Sequence, residues 1–162
     1  IFSILNVSSG DEVLDLGCGS GYYSELIKFR GGIPYGVDIS ANMIKWFKKK
    51  GFKGCVGNIE NFNLKRKFDA VICGGAFEFL NNPKNAVINV GRHLKKNGNF
   101  ALLYPRNSFL GFLYKLYHKL HGVNINIFNN KEVHDLFVNS DLKIVHIKKA
   151  DFFTNALLAI KK

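Results

Sequence analysis

Three alternate glycines, Gly17, Gly19 and Gly21, follow directly on the apolar run Val13-Leu14-Asp15-Leu16, and a helical pattern starts just beyond them. Alternate glycines let the backbone take positive φ and let a ligand come close where a Cβ would block it. The helix that follows points its free N–H groups at the same spot. Asp38 closes the next apolar run, Ile33 to Asp38, where a carboxylate on a doubly wound sheet accepts hydrogen bonds from a ribose diol. Turn and carboxylate thus face one ligand. Glycines alone suit any tight strand-to-helix turn, and Asp38 alone could be a turn or capping aspartate; the two in register point to binding.

At these residues the chain resembles the class I S-adenosylmethionine-dependent methyltransferases, whose first signature reads like Val13 to Tyr22. It departs from a nicotinamide fingerprint, which wants glycine at the first, third and sixth places; the sixth place here is Tyr22, and the third glycine falls one position early at Gly21. The resemblance implies S-adenosylmethionine as cofactor. It makes Asp15, Gly17, Gly19 and Gly21, with Cys18 between them, the cradle of the methionine moiety, Asp15 favouring its ammonium. Asp38 would take the ribose hydroxyls, and Ile39 and Met43 would lie against the adenine. In the loop Gly57-Asn58-Ile59-Glu60-Asn61-Phe62, Asn58, with Ile59 beside it, stands where the family usually has an aspartate for the adenine amino group. An amide oxygen still accepts that bond but lacks the charge that makes carboxylate bonds roughly twice as strong. An asparagine favoured by the turn is the alternative.

Phe68 to Cys73 followed by Gly74, Gly75 and Ala76 resembles the family's fourth strand. Gly74 would line the methionine side, and Gly75 or Ala76 would face substrate. Phe79 occupies the place where one large subgroup carries a histidine after its glutamate, so no histidine base is expected there. Glu78 could orient substrate, and a structural partnership with Arg92 is the expected role. No Asn-Pro-Pro-aromatic run follows the strand, which argues against methylation of adenine N6 in nucleic acid.

Methyl transfer asks little of a protein, because the sulfonium is already an activated electrophile; alignment and exclusion of water come first. A base is needed only if the acceptor must lose a proton, and His118 and His121 are the candidates, against the reading that both face solvent on a lysine-rich helix. They lie in Asn107 to Gly122, where Phe109, Phe112, Leu113, Leu116, Tyr117 and Leu120 share one helical face and Lys115, His118 and Lys119 lie off it. Such a helix packs on the core, forms a lid over a hydrophobic or anionic acceptor as the resemblance implies for residues 107–122, or meets a membrane surface that carries a lipophilic substrate.

The elements that must position these residues alternate. Strands are expected at Glu12 to Leu16, Ile33 to Asp38, Lys53 to Val56, Phe68 to Cys73, Asn99 to Tyr104, Lys143 to Lys148 and Asn155 to Lys161. Between them fall helices: one after the glycines, one capped by Ser40 with Met43, Trp46, Phe47 and Lys50 on a face, one starting at Asn82-Pro83 and running to Asn97-Gly98, the 107–122 helix, and one near Asn130. A helix end is expected over Ile1 to Val7. The alternation predicts an α/β fold with helices on both faces and a ligand site at the carboxyl ends of the strands. With the resemblance, that is a Rossmann-like, mostly parallel seven-stranded sheet with an antiparallel C-terminal hairpin, one domain over residues 1–162.

Composition bounds the rest. With 162 residues and 47% apolar content the chain can build one core. The three cysteines, Cys18, Cys55 and Cys73, form neither a disulfide framework nor a zinc spacing; a cytoplasmic protein without a metal site is expected. The chain opens on Ile1, and residues upstream of it are expected. The formal charge of +11 is scattered over helix ends and loops, which favours a solvated surface over a nucleic-acid footprint. The expected activity is methyl transfer from S-adenosylmethionine to a small, hydrophobic molecule; the alternatives are an RNA methyltransferase and a methyltransferase-like binding domain without catalysis.

Overall fold

The computed structural model describes residues 5–162. Five strands and three helices come first: β1 (Glu12–Leu16), α1 (Tyr22–Phe29), β2 (Ile33–Asp38), α2 (Ala41–Lys49), β3 (Lys53–Val56), β4 (Phe68–Gly74), α3 (Pro83–His93) and β5 (Leu94–Pro105). They are followed by α4 (Phe109–Leu120), α5 (Asn130–Phe137), β6 (Leu142–Lys149) and β7 (Thr154–Lys161). The strands form one sheet in the order β3-β2-β1-β4-β5-β7-β6. β1 pairs in parallel with β2 and β4, and β5 in parallel with β4, whereas β7 runs antiparallel to both β5 and β6. This is the expected Rossmann-like sheet with its closing hairpin. Strand order reverses between β1 and β4, which opens a crevice at their carboxyl ends.

The alternation of side chains along each strand fills both faces. Leu14, Leu16, Val71, Phe100 and Leu102 pack with Val87 and Val90 of α3 and Val133 and Phe137 of α5. Val13, Ile72, Ala101 and Leu158 pack on the other side with Ile27 of α1. The helix starts follow their caps: Ser40 Oγ accepts from Met43 N, Asn82 Oδ1 from Asn85 N, and Asn129 with Glu132 forms a reciprocal capping box.

Four expectations need correction. The helix end expected over Ile1 to Val7 falls partly on residues 1–4, outside the described residues, and Leu5 to Val7 form no helix. The third helix stops at His93, and β5 begins at once, because Leu94 already pairs with Phe68 and Asn97 makes the left-handed bend at φ 63°. On α2 the buried residues are Ile44 and Phe47, while Met43 and Trp46 are exposed; the real stripe lies one residue round from the expected one. On α4 only Gly111 is buried. The expected inner face carries Phe109 and Leu120 at 77% exposure each, and Phe112 and Tyr117 are exposed as well.

Candidate functional site

β1 ends in the glycine turn because Gly17 N and Cys18 N both donate to Val37 O of β2, at 2.8 and 3.2 Å, which ties the turn to the neighbouring strand. Gly17 has φ +68°, and a Cβ there would meet Ala76 Cβ at 2.2 Å, so this glycine lets the loop after β4 close over β1. Gly19 differs. At φ +51° a Cβ there would meet nothing within 4 Å, so its bare face looks into open space. Cys18 and Gly21 pack the other way: Cys18 lies with Ile44, Phe47 and Phe52, and a Cβ at Gly21 would press on the Phe47 and Phe52 rings at about 3.1–3.2 Å.

Asp38, at the end of β2, binds the turn directly. Its Oδ2 accepts from Gly19 N at 2.9 Å and its Oδ1 from Ser40 N at 2.8 Å. A carboxylate offers about four lone-pair sites, so acceptor capacity remains on both oxygens toward the pocket. That pocket, about 390 Å3, is lined by Gly17, Gly19, Asp38, Ile39, Asn58 and Ile59 on one side and by Gly75, Ala76, Phe79, Leu80 and others on the other. Six of the residues expected to bind the cofactor thus meet at one opening, with Gly75 and Ala76, expected to face substrate, also in its wall. Asn58 adopts the turn role as well: its Oδ1 accepts from Glu60 N at 2.9 Å. Asn89 of α3 fixes this loop from below by donating to Ile59 O and Phe62 O.

Asp15, Cys18, Gly21, Met43 and Gly74 are not brought to the pocket wall. Asp15 is sealed under the turn at 0% exposure; Ser24 Oγ donates to its Oδ2 at 2.7 Å, and its Oδ1 has no partner. Burial pushes this carboxyl up to about 7, against the hydrogen bond from Ser24. Gly74 lies against the Tyr23 ring, 2.3 Å from where its Cβ would be. Burial also raises the Cys18 and Cys73 thiols, so neither is a ready nucleophile.

A second cavity of about 210 Å3 shares Gly75 with the first and is lined by Tyr23, Glu78, Tyr104, Tyr114, Asp151, Phe153 and neighbours at the end of β5. The expected Glu78–Arg92 partnership does not form: no salt bridge among the described residues joins them. Glu78 is 5% exposed in the one-turn 3-10 helix Phe77–Phe79, and its Oε2 has no partner, while Arg92 lines a separate cavity. Burial pushes the Glu78 carboxyl above its ordinary range. The turn is braced by Asn126, whose N and Nδ2 both donate to Glu78 O, with Nδ2 also reaching Leu80 O.

The two candidate histidines separate. His118 packs edge-on against Phe79, a wall residue of the larger pocket, and against Tyr114 of the smaller one. His121 is exposed past the end of α4, its Nδ1 at 2.8 Å from Tyr117 O. Sequence reasoning missed Tyr23, Tyr104, Tyr114 and Phe153. Tyr104 and Tyr114 had a signal in their position, near the carboxyl end of β5 and in the helix that follows it; Tyr23 and Phe153 had none.

The methyltransferase domain family matches residues 14–102 of this chain. An uncharacterized protein of Methanocaldococcus jannaschii is 33% identical over 104 residues, covering 63% of this chain and 49% of that protein. The malonyl-[acyl-carrier protein] O-methyltransferase of Priestia megaterium is 31% identical over 93 residues, 54% of this chain and 34% of that enzyme. The chain therefore spans about a third to a half of the length of these curated relatives. Among solved structures, an S-adenosylmethionine dependent methyltransferase from Mesorhizobium loti superposes with TM-score 0.84 over 98% of this chain and 94% of that one, at 14% identity. At that identity the likeness is one of fold.

Proposed function

The chain belongs to the S-adenosylmethionine-dependent methyltransferase domain family, and from that premise we propose that it transfers the cofactor's methyl group to a small, hydrophobic acceptor. One observation carries the reading. The 390 Å3 pocket unites the open face of Gly19, the Asp38 carboxylate and the Asn58 loop, and it adjoins at Gly75 a smaller cavity walled by aromatic rings. Nucleoside and acceptor sites side by side are what methyl transfer requires.

The residues present fit the cofactor. Asp38 would accept from the ribose hydroxyls with the lone pairs left by Gly19 N and Ser40 N. Ile39, exposed on the pocket wall, would cover the adenine, and Asn58 and Ile59 would hold its edge. The bare face of Gly19 would admit the methionine portion, and Asp15, sealed beneath the turn, supports it through the hydrogen bond from Ser24 Oγ rather than lining the pocket. Cys18, Gly21, Met43 and Gly74 shape the turn and its surroundings. The bound sulfonium supplies an activated methyl group; the protein supplies alignment and a dry cavity. α4 forms the lid, with Tyr114 and His118 turned inward. His118, within reach of Phe79, is the remaining histidine candidate for a base.

A screen with S-adenosylmethionine carrying a labelled methyl group, run across metabolite, lipid and RNA pools, tests this reading. It expects label in a small apolar product and none in RNA. Label confined to RNA, or cofactor binding with no product in any pool, would overturn it.

A further inference from the structure

The smaller cavity has a composition its setting does not explain. In a protein of net charge +11, two carboxylates line it, Glu78 and Asp151, together with the rings of Tyr23, Tyr104, Tyr114 and Phe153. Glu78 is 5% exposed, and its Oε2 is buried without any hydrogen-bond partner. A buried carboxylate oxygen left unpaired is costly, and Glu78 stands in the cavity wall, where a ligand's donor can meet its carboxylate. Aromatic faces attract cations through the ring quadrupole. A neutral hydroxyl would satisfy the carboxylate but would gain little from the rings or from Asp151; a cationic N–H donor uses all three.

We propose that this cavity receives the ammonium group of a small amine with an apolar body, and that Glu78 is the residue that selects it. This rests on the methyltransferase reading and narrows its acceptor to a nitrogen. The Glu78 carboxylate accepts the N–H hydrogen bond and then the proton, leaving a neutral amine and a neutral carboxylic acid. The freed nitrogen pair would form the N–CH3 bond as the S–CH3 bond breaks with its electron pair going to sulfur; the product would depart as the methylated ammonium, and Glu78 would then release its proton to water and regain its charge.

The test is calorimetry on the 162-residue chain saturated with S-adenosylhomocysteine, with 2-phenylethylamine and tryptamine as cationic probes and 2-phenylethanol as the neutral match. At least one amine is expected to bind tenfold or more tightly than the alcohol. Glu78→Gln keeps the shape, removes the charge, and is expected to abolish that preference without changing S-adenosylhomocysteine affinity. Tyr114→Leu, at a half-buried position, is expected to weaken amine binding several-fold and to leave alcohol binding unchanged. Equal affinity for amine and alcohol, binding of neither amine, or an amine preference that survives Glu78→Gln overturns the proposal. If S-adenosylhomocysteine itself fails to bind, the methyltransferase reading falls; the amine arm on the unliganded chain, with its loss in Glu78→Gln, still decides the subsite.

Discussion

Asp38 holds the glycine turn and faces the pocket at the same time, so its substitutions must separate two effects. Asp38→Asn keeps an oxygen for one backbone amide but removes the charge. It should weaken S-adenosylhomocysteine binding by about 1.5–3 kcal/mol, the range for hydrogen bonds to a charged group, while thermal denaturation shows a folded protein. Gly19→Ala is the complementary probe, because its Cβ would meet no protein atom. Only the strain of a left-handed alanine, about 1–2 kcal/mol, should appear in stability, yet cofactor binding should suffer far more; a variant that binds normally would show that the ligand does not approach Gly19. Asp15 gives a pH signature. Its folded-state value of about 7 lies above the ordinary 3.8, so the folded state holds the proton more tightly, and stability present below pH 4 is lost as pH rises toward 7. Asp15→Asn should therefore be more stable than the parent at pH 8 by about 2–4 kcal/mol and nearly equal to it at pH 4. Urea denaturation at the two pH values checks this, and a pH-independent difference would contradict it.

At the scale of elements, the proposed function makes α4 the element that decides which residues meet the acceptor. Its twelve residues show which side chains share a face, but a helical period cannot say whether core is available to cover that face. Here α3 and α5 already fill the sheet face that holds Val71 and Leu102, and the apolar stripe of α4 stays exposed while Tyr114 and His118 turn in. Tyr114→Ala should lower methyl transfer at least tenfold and leave S-adenosylhomocysteine affinity within about twofold, whereas Phe112→Ala should change neither; the reverse pattern would place the lid's working face outward. The strands were legible in the sequence because each is a short apolar run bounded by glycine, asparagine or lysine, and the glycine turn and Asp38 were legible because their spacing is fixed by β1 and β2 lying side by side. The smaller cavity, proposed here for the acceptor, was not. Tyr23, Tyr104 and Tyr114 come from three separate elements and Phe153 from the turn between β6 and β7, and nothing in their local spacing records that the β5–β7 pairing brings them together. The expected Glu78–Arg92 pair failed for a similar reason: the 3-10 turn points Glu78 toward β5 and α4, away from α3.

For the molecule as a whole, the charge is the property that separates a small acceptor from RNA. Lys65, Lys67 and Arg92 line a cavity of about 620 Å3 beside the Asn58 loop, with Arg66 paired to Glu12, so the cations are more clustered there than the sequence suggests. Were RNA bound at that cluster, its affinity would fall on a log-log salt plot with a slope of about −0.7 per phosphate contact on single strands. The small-acceptor account expects RNA binding to be weak, blind to sequence and lost at physiological salt, as read by fluorescence anisotropy across a salt series. Tight binding of a structured RNA at that salt, with methylation of it, would reverse the assignment.

The central claim is that Gly19, Asp38 and the Asn58 loop form one nucleoside site, and calorimetric titration of the 162-residue chain with S-adenosylhomocysteine tests it most directly. The account predicts saturable binding with one site per chain, weakened at least tenfold in Asp38→Asn; no binding by the parent chain, or equal binding by the variant, would contradict it.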